Sequence, residues 1–375
     1  MRILHVYKDY YPVLGGIENH VRLLAERQAR AGHEVTVLVT NPGPRTVSMQ
    51  MAGVQIIKAG RLARVASTPL SLSLPWRLAR QRPDITHLHF PYPPAELAQL
   101  PHLGARPTVL SYHSDVVRQQ RILRFYRPLM MQVLQRVDRV LVASPNYLAS
   151  SPTLQQVRQR CTVIPYGIDQ RPFKSVSAAQ VQRLRERHGE GPWVLFVGVL
   201  RYYKGLHYLL EALPQMPGRL MLVGEGPEGP ALRRQVQATG LEDRVVFAGA
   251  VPDEELPAYY ALADVFCLPA SERSEAFGLV QVEALASGLP IVSTELGTGT
   301  SYVNQDGQSG LVVPPRDAAA LARALTLLLE DGALRQRLAV GAAARAAAFE
   351  AERMVAEMDE VYSAVLAARA RGRAR

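Results

Sequence analysis

Short apolar runs alternate with helix-patterned segments along most of this chain, and this alternation limits the possible folds more than any other feature. The run Val194-Leu-Phe-Val197 is typical, because no polar residue recurs at every second position. Such a strand is covered on both faces, as in a parallel sheet with helices on each side. The sequence therefore predicts an α/β fold built from doubly wound parallel sheets.

The predicted strands are 3–7, 34–38, 85–88, 108–111, 139–143, 193–197, 219–223, 245–248, 265–268, 291–293 and 310–313. The predicted helices include 17–31, 205–213, 230–239, 257–263 and 279–287. A length of 375 residues favours two domains. Pro165 and Gly167 break the periodicity, which places the domains at 1–165 and 166–345. Residues 346–375 are expected to form a helix that crosses back to the first domain, followed by a basic tail.

Cysteine content and charge limit the setting of the protein. The only two cysteines, Cys161 and Cys267, lie far apart, which excludes a disulfide framework and favours a reducing compartment. No apolar run reaches the length of a membrane span. Residues 1–165 carry 21 Lys and Arg against 8 Asp and Glu, whereas 166–375 carry 22 against 25. A cytoplasmic protein is expected, and its basic first half could meet nucleic acid or the anionic inner face of the membrane.

Two glutamates eight residues apart, Glu275 and Glu283, bracket the start of an apolar predicted helix. Buried carboxylates are costly unless they have partners, and sugar hydroxyls would be suitable ones. The amides of Phe277, Gly278 and Leu279 at the helix N-terminus suit phosphate oxygens. Together these groups predict a ligand that carries both hydroxyls and an anion, as a nucleotide-sugar does. The alternative is a capped helix with two surface glutamates.

Two strand-to-helix loops carry further candidates. Gly15 and Gly16 follow the first strand, where a glycine pair lets the backbone approach a phosphate, although such turns are common. Arg201 and Lys204 follow the strand 193–197, at the sheet edge where doubly wound folds bind ligands. Two cations there could hold a pyrophosphate, and the alternative is a pair of solvated charges.

Together these strings resemble the retaining nucleotide-sugar glycosyltransferases of family four, which have the GT-B fold of two Rossmann-like domains facing a central cleft. The resemblance extends from about residue 2 to residue 345. Its strings are Gly15-Gly16-Ile-Glu18, Lys204-Gly205, Gly224-Glu-Gly-Pro227, Glu275-x-Phe-Gly-Leu-Val-x-x-Glu283-Ala and Ser287-Gly-Leu-Pro290. The family has Gly-Arg-Leu ahead of the lysine, whereas Val199 follows Gly198 here. Whether Arg201 replaces that arginine is open.

The resemblance implies a role for each matching residue. Glu275 would bind hydroxyls of the donor sugar, and Glu283 would bind the ribose hydroxyls. The backbone of 277–279 would meet the sugar and phosphates, Gly16 would let its loop close over the diphosphate, and Lys204 would neutralise the departing diphosphate.

Two polar residues follow a strand of the first domain. His113 matches a family histidine that reaches the donor sugar, although a lone histidine can also be structural. Asp115 either caps the next helix or orients the acceptor. In related enzymes the first domain binds the acceptor, often a lipid-linked sugar, so a saccharide acceptor of that kind is expected.

No metal or other cofactor is expected. The sequence has no Asp-x-Asp, and His and Cys are not clustered at the spacings of metal ligands. Arg201, Lys204, helix dipoles and amides would then stabilise the leaving diphosphate. The resemblance favours a front-face mechanism that keeps the anomeric configuration.

Residues 117–139 form a basic amphipathic stretch. Its arginines include Arg118, Arg121 and Arg124, interleaved with apolar side chains. Such a stretch suits an anionic bilayer surface, and an ordinary surface helix is the alternative.

The donor is expected to be GDP-mannose, because several strings resemble the mannosyltransferase branch of bacterial polysaccharide assembly. The base would lie near Val251, and UDP-glucose or another hexose donor remains possible. A sugar-nucleotide epimerase on the same fold is the rival enzyme. A nucleic-acid binder is a third possibility, but no basic groove with interleaved aromatic residues is evident, so no nucleic-acid partner is expected. The oligomeric state is not predicted.

Overall fold

The fold is taken from a computed structural model that describes residues 1–13, 15–65, 68–115 and 120–373. The chain divides into two compact units, the first formed by Met1–Tyr166 with Ala351–Arg375 and the second by Gly167–Glu350. Each unit contains its own sheet, which is parallel except at one edge in the first unit and fully parallel in the second. In the part of the chain that is described, no helix combines the length and apolar character needed to cross a membrane.

The first unit is built on an eight-stranded sheet in the order β10-β9-β8-β7-β1-β2-β4-β3, with a separate β5-β6 hairpin. Its strands are β1 (Arg2–Val6), β2 (Glu34–Thr40), β3 (Val47–Met51), β4 (Val54–Ala59), β5 (Ala63–Val65), β6 (Thr68–Leu70), β7 (Ile85–Phe90), β8 (Thr108–Tyr112), β9 (Arg139–Val142) and β10 (Cys161–Val163). Its helices are α1 (Gly16–Arg30), α2 (Ser73–Arg80), α3 (Pro93–Gln99), α4 (Gln120–Arg136), α5 (Pro145–Ser150), α6 (Pro152–Gln155) and, from the end of the chain, α16 (Ala351–Arg373). Every pairing is parallel except those of β3 with β4 and of β5 with β6.

The second unit has six parallel strands in the order β13-β12-β11-β14-β15-β16. Its strands are β11 (Trp193–Val197), β12 (Arg219–Val223), β13 (Val245–Gly249), β14 (Val265–Leu268), β15 (Ile291–Thr294) and β16 (Gly310–Val313). Its helices are α7 (Arg171–Lys174), α8 (Ala178–His188), α9 (Leu206–Ala212), α10 (Gly229–Ala238), α11 (Leu256–Leu262), α12 (Leu279–Ala286), α13 (Thr300–Val303), α14 (Ala318–Glu330) and α15 (Gly332–Ala346). This strand order is that of the Rossmann fold, whose ligand site lies where the order reverses, here between β11 and β14.

The core of each unit lies between its sheet and helices. All five residues of β11 and all six of β7 are buried, as expected for strands covered on both faces. Each fully buried aliphatic side chain contributes about 1.5–3 kcal/mol of transfer free energy. The predicted α/β class is therefore confirmed, and the predicted strands agree with the structure within two residues at each end.

The structure adds a hairpin to the predicted elements and places the basic stretch of the first unit. The β3-β4 hairpin was not predicted, because β3 is mostly exposed and lacks an apolar run. Its turn residues Ala52 and Gly53 both have positive φ, at 50° and 81°. Within the basic stretch 117–139, α4 covers Gln120–Arg136, and Arg139 begins β9 as predicted. Arg118 lies outside the described residues, and so does the side chain of Arg121.

The last helix, α16, packs against the first unit. Tyr362 is fully buried, and its hydroxyl lies 2.6 Å from Nδ1 of His87 on β7. Arg369 donates to both carboxylate oxygens of Asp138, at 2.8 Å each. These contacts attach the end of the chain to the sheet that contains its beginning.

Candidate active site

The reversal of strand order in the second unit brings together the loops that follow β11 and β14. Gly205 has φ of +69°, and a Cβ atom there would lie 2.0 Å from the carbonyl oxygen of Pro269. The amide of Ser271 donates to the carbonyl of Tyr203 at 2.8 Å. Glycine at position 205 therefore permits the close approach of the two loops.

Lys204 and Glu275 form a buried ion pair at this point. Lys204 Nζ lies 2.5 Å from Glu275 Oε2, and each side chain is only 10% exposed. Burial by itself would lower the pKa of Lys204, but the charge of Glu275 and the nearby Tyr203 outweigh it and the pKa is raised. Lys204 is therefore a cation at neutral pH, held at the edge where the sequence predicted one.

Helix α12 begins beside this pair. Gly278 precedes its first residue with φ of +79°, and a Cβ there would lie 2.7 Å from Gln281 Nε2 and 2.9 Å from Leu268 Cδ2. Phe277 is buried at 3% exposure. The amide of Gln281 donates to the carbonyl of Gly278 at 2.8 Å, and the backbone amides at the start of α12 point from the positive end of the helix.

Glu283 lies one turn further along α12. The hydroxyl of Tyr260 donates to Glu283 Oε2 at 2.6 Å. Burial raises the pKa of Glu283 to about 7, while Tyr260 and the more distant Lys204 act in the opposite direction. The charge of Lys204 acts on both glutamates, through direct contact with Glu275 and by opposing the rise in the pKa of Glu283. A ligand site shared by the three residues stays a prediction.

Two other predicted donor residues lie on the same edge of the second sheet. Arg201 is exposed and precedes the 3₁₀ turn Tyr202–Lys204. Val251 follows β13 and is half-buried. Val199, where the family has arginine, is 39% exposed. The roles of these residues stay predictions.

In the first unit, Gly15 and Gly16 lie where β1 leads into α1. Gly15 is extended, with φ of 176°, and a Cβ there would lie 2.3 Å from Glu18 Oε2. Glu18 in turn lies 3.6 Å from Lys8 Nζ. The glycine thus makes room for a buried carboxylate at the start of α1. No role was predicted for Glu18 or Lys8, although the Gly-Gly-x-Glu string was the available signal.

His113 follows β8 and is buried at 4% exposure. Its Nε2 lies 3.0 Å from His89 Nδ1, and its Nδ1 lies 2.5 Å from the hydroxyl of Tyr166. Burial lowers the pKa of His113 well below its usual value, with His20 and Lys8 adding to the effect. The ring is therefore neutral, and both of its nitrogens are engaged within the first unit.

His113 belongs to a buried cluster of histidines that sequence reasoning missed. Its members come from β1, β7, the end of β8 and α1, and they are His5, His20, His87, His89 and His113. Spacing along the chain gave no sign of it, because only the sheet order brings these strands together. Among the described residues, neither ring nitrogen of His20 has a hydrogen-bond partner. A buried polar group in that state is a candidate for contact with a ligand or an ordered water.

Three of these histidines could offer atoms to a metal ion. His5, His87 and His89 each have a ring nitrogen within 4.8 Å of the others. All their nitrogens already take part in hydrogen bonds, however, to one another or to Gln28, Ser111, His113 and Tyr362. A metal ion would have to replace those bonds. The expectation of no metal was based on spacing along the chain, which could not detect this cluster.

The remaining candidates lie near α4 and α5. Asp115 Oδ1 accepts hydrogen bonds from Tyr112 and Ser151, both at 2.8 Å. This gives Asp115 a structural function. The helix that it was predicted to cap is α4, which is described from Gln120, and residues 116–119 lie outside the described residues, so the capping role stays a prediction. Arg124 is exposed on α4.

Two Rossmann-type units, with a lysine and two glutamates at the switch point of the second, define a GT-B glycosyltransferase. Residues 180–345 match the family described as glycosyl transferases group 1, and residues 14–171 match glycosyltransferase family 4. The chain is 38% identical over 373 residues to O-antigen chain mannosyltransferase C of Escherichia coli, covering 98% of this chain and 99% of the relative. It is also 38% identical over 348 residues to D-rhamnosyltransferase WbpZ of Pseudomonas aeruginosa, covering 92% and 91%.

A solved structure agrees with this likeness. The sucrose-phosphate synthase tll1590 of Thermosynechococcus elongatus superposes with a TM-score of 0.81 at 25% identity, covering 98% of this chain and 99% of that one. The chain belongs to the family-four glycosyltransferases. The predicted family, the GT-B fold and the likeness to its mannosyltransferase branch are thereby confirmed.

Proposed function

We propose that this glycosyltransferase moves a hexose, most simply mannose from GDP-mannose, to a saccharide acceptor during polysaccharide synthesis. The second unit binds the nucleotide-sugar, and the first unit binds the acceptor. The observation that carries the proposal is the buried Lys204–Glu275 pair at the switch point of the second sheet. A cation and a carboxylate are there placed beside the N-terminus of α12, as a sugar diphosphate requires.

Each group has a chemical task in this reaction. Glu275 binds hydroxyls of the sugar, Glu283 binds those of the ribose, and the first amides of α12 bind phosphate oxygens. Lys204, assisted by Arg201, neutralises the diphosphate as the bond between the anomeric carbon and its oxygen breaks. A charged lysine in a buried setting stabilises that developing charge more strongly than a solvated one.

We propose transfer with retention and without a metal. The acceptor oxygen forms its bond to the anomeric carbon on the face that the diphosphate leaves, and the departing phosphate oxygen takes the acceptor proton. The absence of Asp-x-Asp from the sequence supports charge neutralisation by Lys204 and the helix terminus.

The mannose assignment is supported by the names of two relatives, which transfer mannose and D-rhamnose. D-Rhamnose is mannose without its 6-hydroxyl, so both sugars share one ring configuration. The name of the first relative also refers to the O-antigen chain, which supports a saccharide acceptor. A lipid-linked acceptor agrees with the net positive charge of the first half.

A donor panel tests the proposal. The protein is incubated with GDP-mannose, its 6-deoxy counterpart, UDP-glucose and other nucleotide-sugars, with EDTA and with a short mannose-containing acceptor. Release of GDP with formation of an α-linked product from the α-linked donor supports it. Release of UDP instead would show that the donor is a UDP-sugar and not GDP-mannose. An isomerised nucleotide-sugar would support an epimerase. Inhibition by EDTA would overturn the proposal that the reaction needs no metal.

A further inference from the structure

A single hydrogen-bonded chain crosses the first unit from α16 to His113. It begins at Asp359, passes through Gln28 on α1, His5 on β1 and His89 on β7, and continues through His113 to Tyr166. The distances are 3.0 Å from Gln28 Nε2 to Asp359 Oδ1, 2.8 Å from His5 Nε2 to Gln28 Oε1 and 3.1 Å from His5 Nδ1 to His89 Nε2. The chain ends with the two bonds of His113 described above.

The direction of every bond follows from the first. An ionised carboxylate only accepts hydrogen bonds, so the amide NH₂ group of Gln28 must face Asp359. The carbonyl oxygen of Gln28 then faces His5 and also only accepts. His5 must therefore carry its proton on Nε2, which leaves Nδ1 as an acceptor for the next ring.

The same constraint passes from ring to ring. His89 must donate from Nε2 to His5 Nδ1, and His113 must donate from Nε2 to His89 Nδ1. Tyr166 then donates its hydroxyl proton to His113 Nδ1. Burial lowers the pKa of His5 to about 4 and holds those of His89 and His113 well below their usual values, so each ring carries one proton.

We infer that Asp359, acting through Gln28, His5 and His89, fixes His113 as the neutral tautomer protonated on Nε2, with Nδ1 as the acceptor that faces Tyr166. Asp359 and Gln28 are thus positioning residues, since neither touches the ligand. The opposite direction would place the Gln28 carbonyl against the Asp359 carboxylate, leaving two acceptors face to face. His33, 3.1 Å from the other carboxylate oxygen, does not alter this constraint.

The consequence for catalysis rests on the proposed function together with the role that the family resemblance implies for His113, contact with the donor sugar. His113 then receives a sugar hydroxyl at Nδ1 in competition with Tyr166, and it does so only as an acceptor. With the reversed chain, Nδ1 would carry the proton and could not accept from that hydroxyl.

Imidazole nitrogen NMR of the ¹⁵N-histidine-labelled full chain tests the tautomer directly. Two-bond proton–nitrogen correlations distinguish Nε2–H from Nδ1–H rings, and single His→Gln variants assign the signals. We expect His5, His89 and His113 to be Nε2–H in the wild-type protein. Gln28→Leu removes the acceptor for His5 and should convert His113 to Nδ1–H.

Two further variants complete the experiment. Asp359→Ala alters a side chain that is 23% exposed, so it should fold, and it frees Gln28 to turn and should give both tautomers at His113. Gln99→Leu is the matched control, because Gln99 is equally buried in the first unit but donates to Thr108, outside the chain. An Nδ1–H His113 in the wild-type protein, or unchanged tautomers in both Gln28→Leu and Asp359→Ala, would overturn the inference.

Kinetics separate this inference from the proposed function. If His113 meets the donor, KM for the donor should rise roughly tenfold in Gln28→Leu and stay unchanged in Gln99→Leu. If the tautomers change while KM for the donor does not, His113 does not contact the donor, and the tautomer assignment is still supported.

Discussion

The buried pair of Lys204 and Glu275 shows how one contact can serve both folding and chemistry. Removing one partner of such a pair leaves a buried charge without compensation, which typically costs about 3–5 kcal/mol. From the sequence alone, replacing Lys204 by Ala is expected to reduce turnover far more than it weakens stability. The contact of 2.5 Å changes that expectation, because both properties should fall.

A double-mutant cycle separates the two effects. Lys204→Met and Glu275→Gln should each lower the free energy of unfolding by about 3 kcal/mol, and the double variant should recover most of it. Turnover should fall by about 10²–10³-fold in Lys204→Met and should not recover in the double variant. Chemical denaturation and nucleotide release provide the two measurements.

Lys174→Met is the matched control. Lys174 also pairs with a glutamate, Glu350, at 3.1 Å, but its side chain is 54% exposed. Such surface pairs contribute about 0–1 kcal/mol. Recovery of turnover in the double variant would show that Lys204 has no direct role in the reaction.

The pKa of Glu283, raised by burial to about 7, predicts a pH-dependent donor affinity. Below that value Glu283 is protonated, and above it the carboxylate can accept from two ribose hydroxyls. KM for the donor should therefore fall as pH rises from 6 to 8. Glu283→Gln should remove this dependence and hold KM about tenfold above the wild-type value at pH 8. A pH dependence that persists in Glu283→Gln would contradict the assignment.

The same shift has the opposite consequence for the stability of the protein without ligand. The folded state holds the Glu283 proton up to about pH 7, whereas an unfolded chain loses it near 4.5. The folded state therefore binds more protons between these values, and this stabilising contribution is lost as pH rises through that window. Donor binding and folding thus favour opposite protonation states of one residue.

At the scale of elements, three successive helices of the first unit expose apolar side chains. Trp76 on α2 is 54% exposed, Leu97 on α3 is 53% exposed and Phe125 on α4 is 86% exposed. Helix α3 packs against both α2 and α4, so these residues belong to neighbouring elements. The guanidinium groups of Arg77 and Arg80 lie 5.6 and 4.5 Å from the Trp76 ring centre. Exposed aromatic residues with arginines suit the interface of an anionic bilayer.

Liposome co-sedimentation tests this surface. The protein should bind vesicles that contain phosphatidylglycerol and should not bind vesicles of phosphatidylcholine alone. At 0.5 M salt, where the screening length is about twofold shorter than at physiological ionic strength, the bound protein should be released. Phe125→Ser and Arg124→Ser should each weaken binding about fivefold, the equivalent of about 1 kcal/mol. Val340→Ser, at a 63% exposed position on α15 of the second unit, is the control. Salt-independent binding, or none, would end the membrane assignment.

At the scale of the whole molecule, the chain returns to its first unit after completing the second. Helix α16 buries Met354, Met358, Tyr362 and Val365 against that unit. It also supplies Asp359, from which the tautomer of His113 is set. Helix α16 therefore stabilises the first unit, although the whole second unit separates the two along the chain.

A chain ending at Glu350 tests this dependence. Loss of α16 should expose the apolar surface beneath it and leave His87 Nδ1 without Tyr362. Hydrogen exchange should show the strands of the first unit losing protection, while those of the second keep theirs. Equal protection in both units of the shortened chain would contradict this expectation. Tyr362→Phe is the milder variant and should cost about 1–3 kcal/mol.

Much of the fold was predictable because its information is local. Buried parallel strands such as β11 are contiguous apolar runs, and α12 starts where a glycine with positive φ allows it, so both can be recognised within a few residues. The Glu275–Glu283 string was predictable for the same reason. The β3-β4 hairpin was missed because an exposed edge strand has no buried face to impose a pattern.

The sequence by itself therefore determined the α/β class, the positions of the strands and the string that surrounds Glu275 and Glu283. Only the tertiary structure decided that Lys204 pairs with Glu275 and that histidines from β1, β7, β8 and α1 form one buried cluster. It also placed Asp359 at the end of a chain of hydrogen bonds that leads to His113. The physical reason is that side-chain periodicity encodes each helix or strand separately. Which distant residues come into contact depends on the order of the strands in each sheet and on the packing of α16 against the first unit.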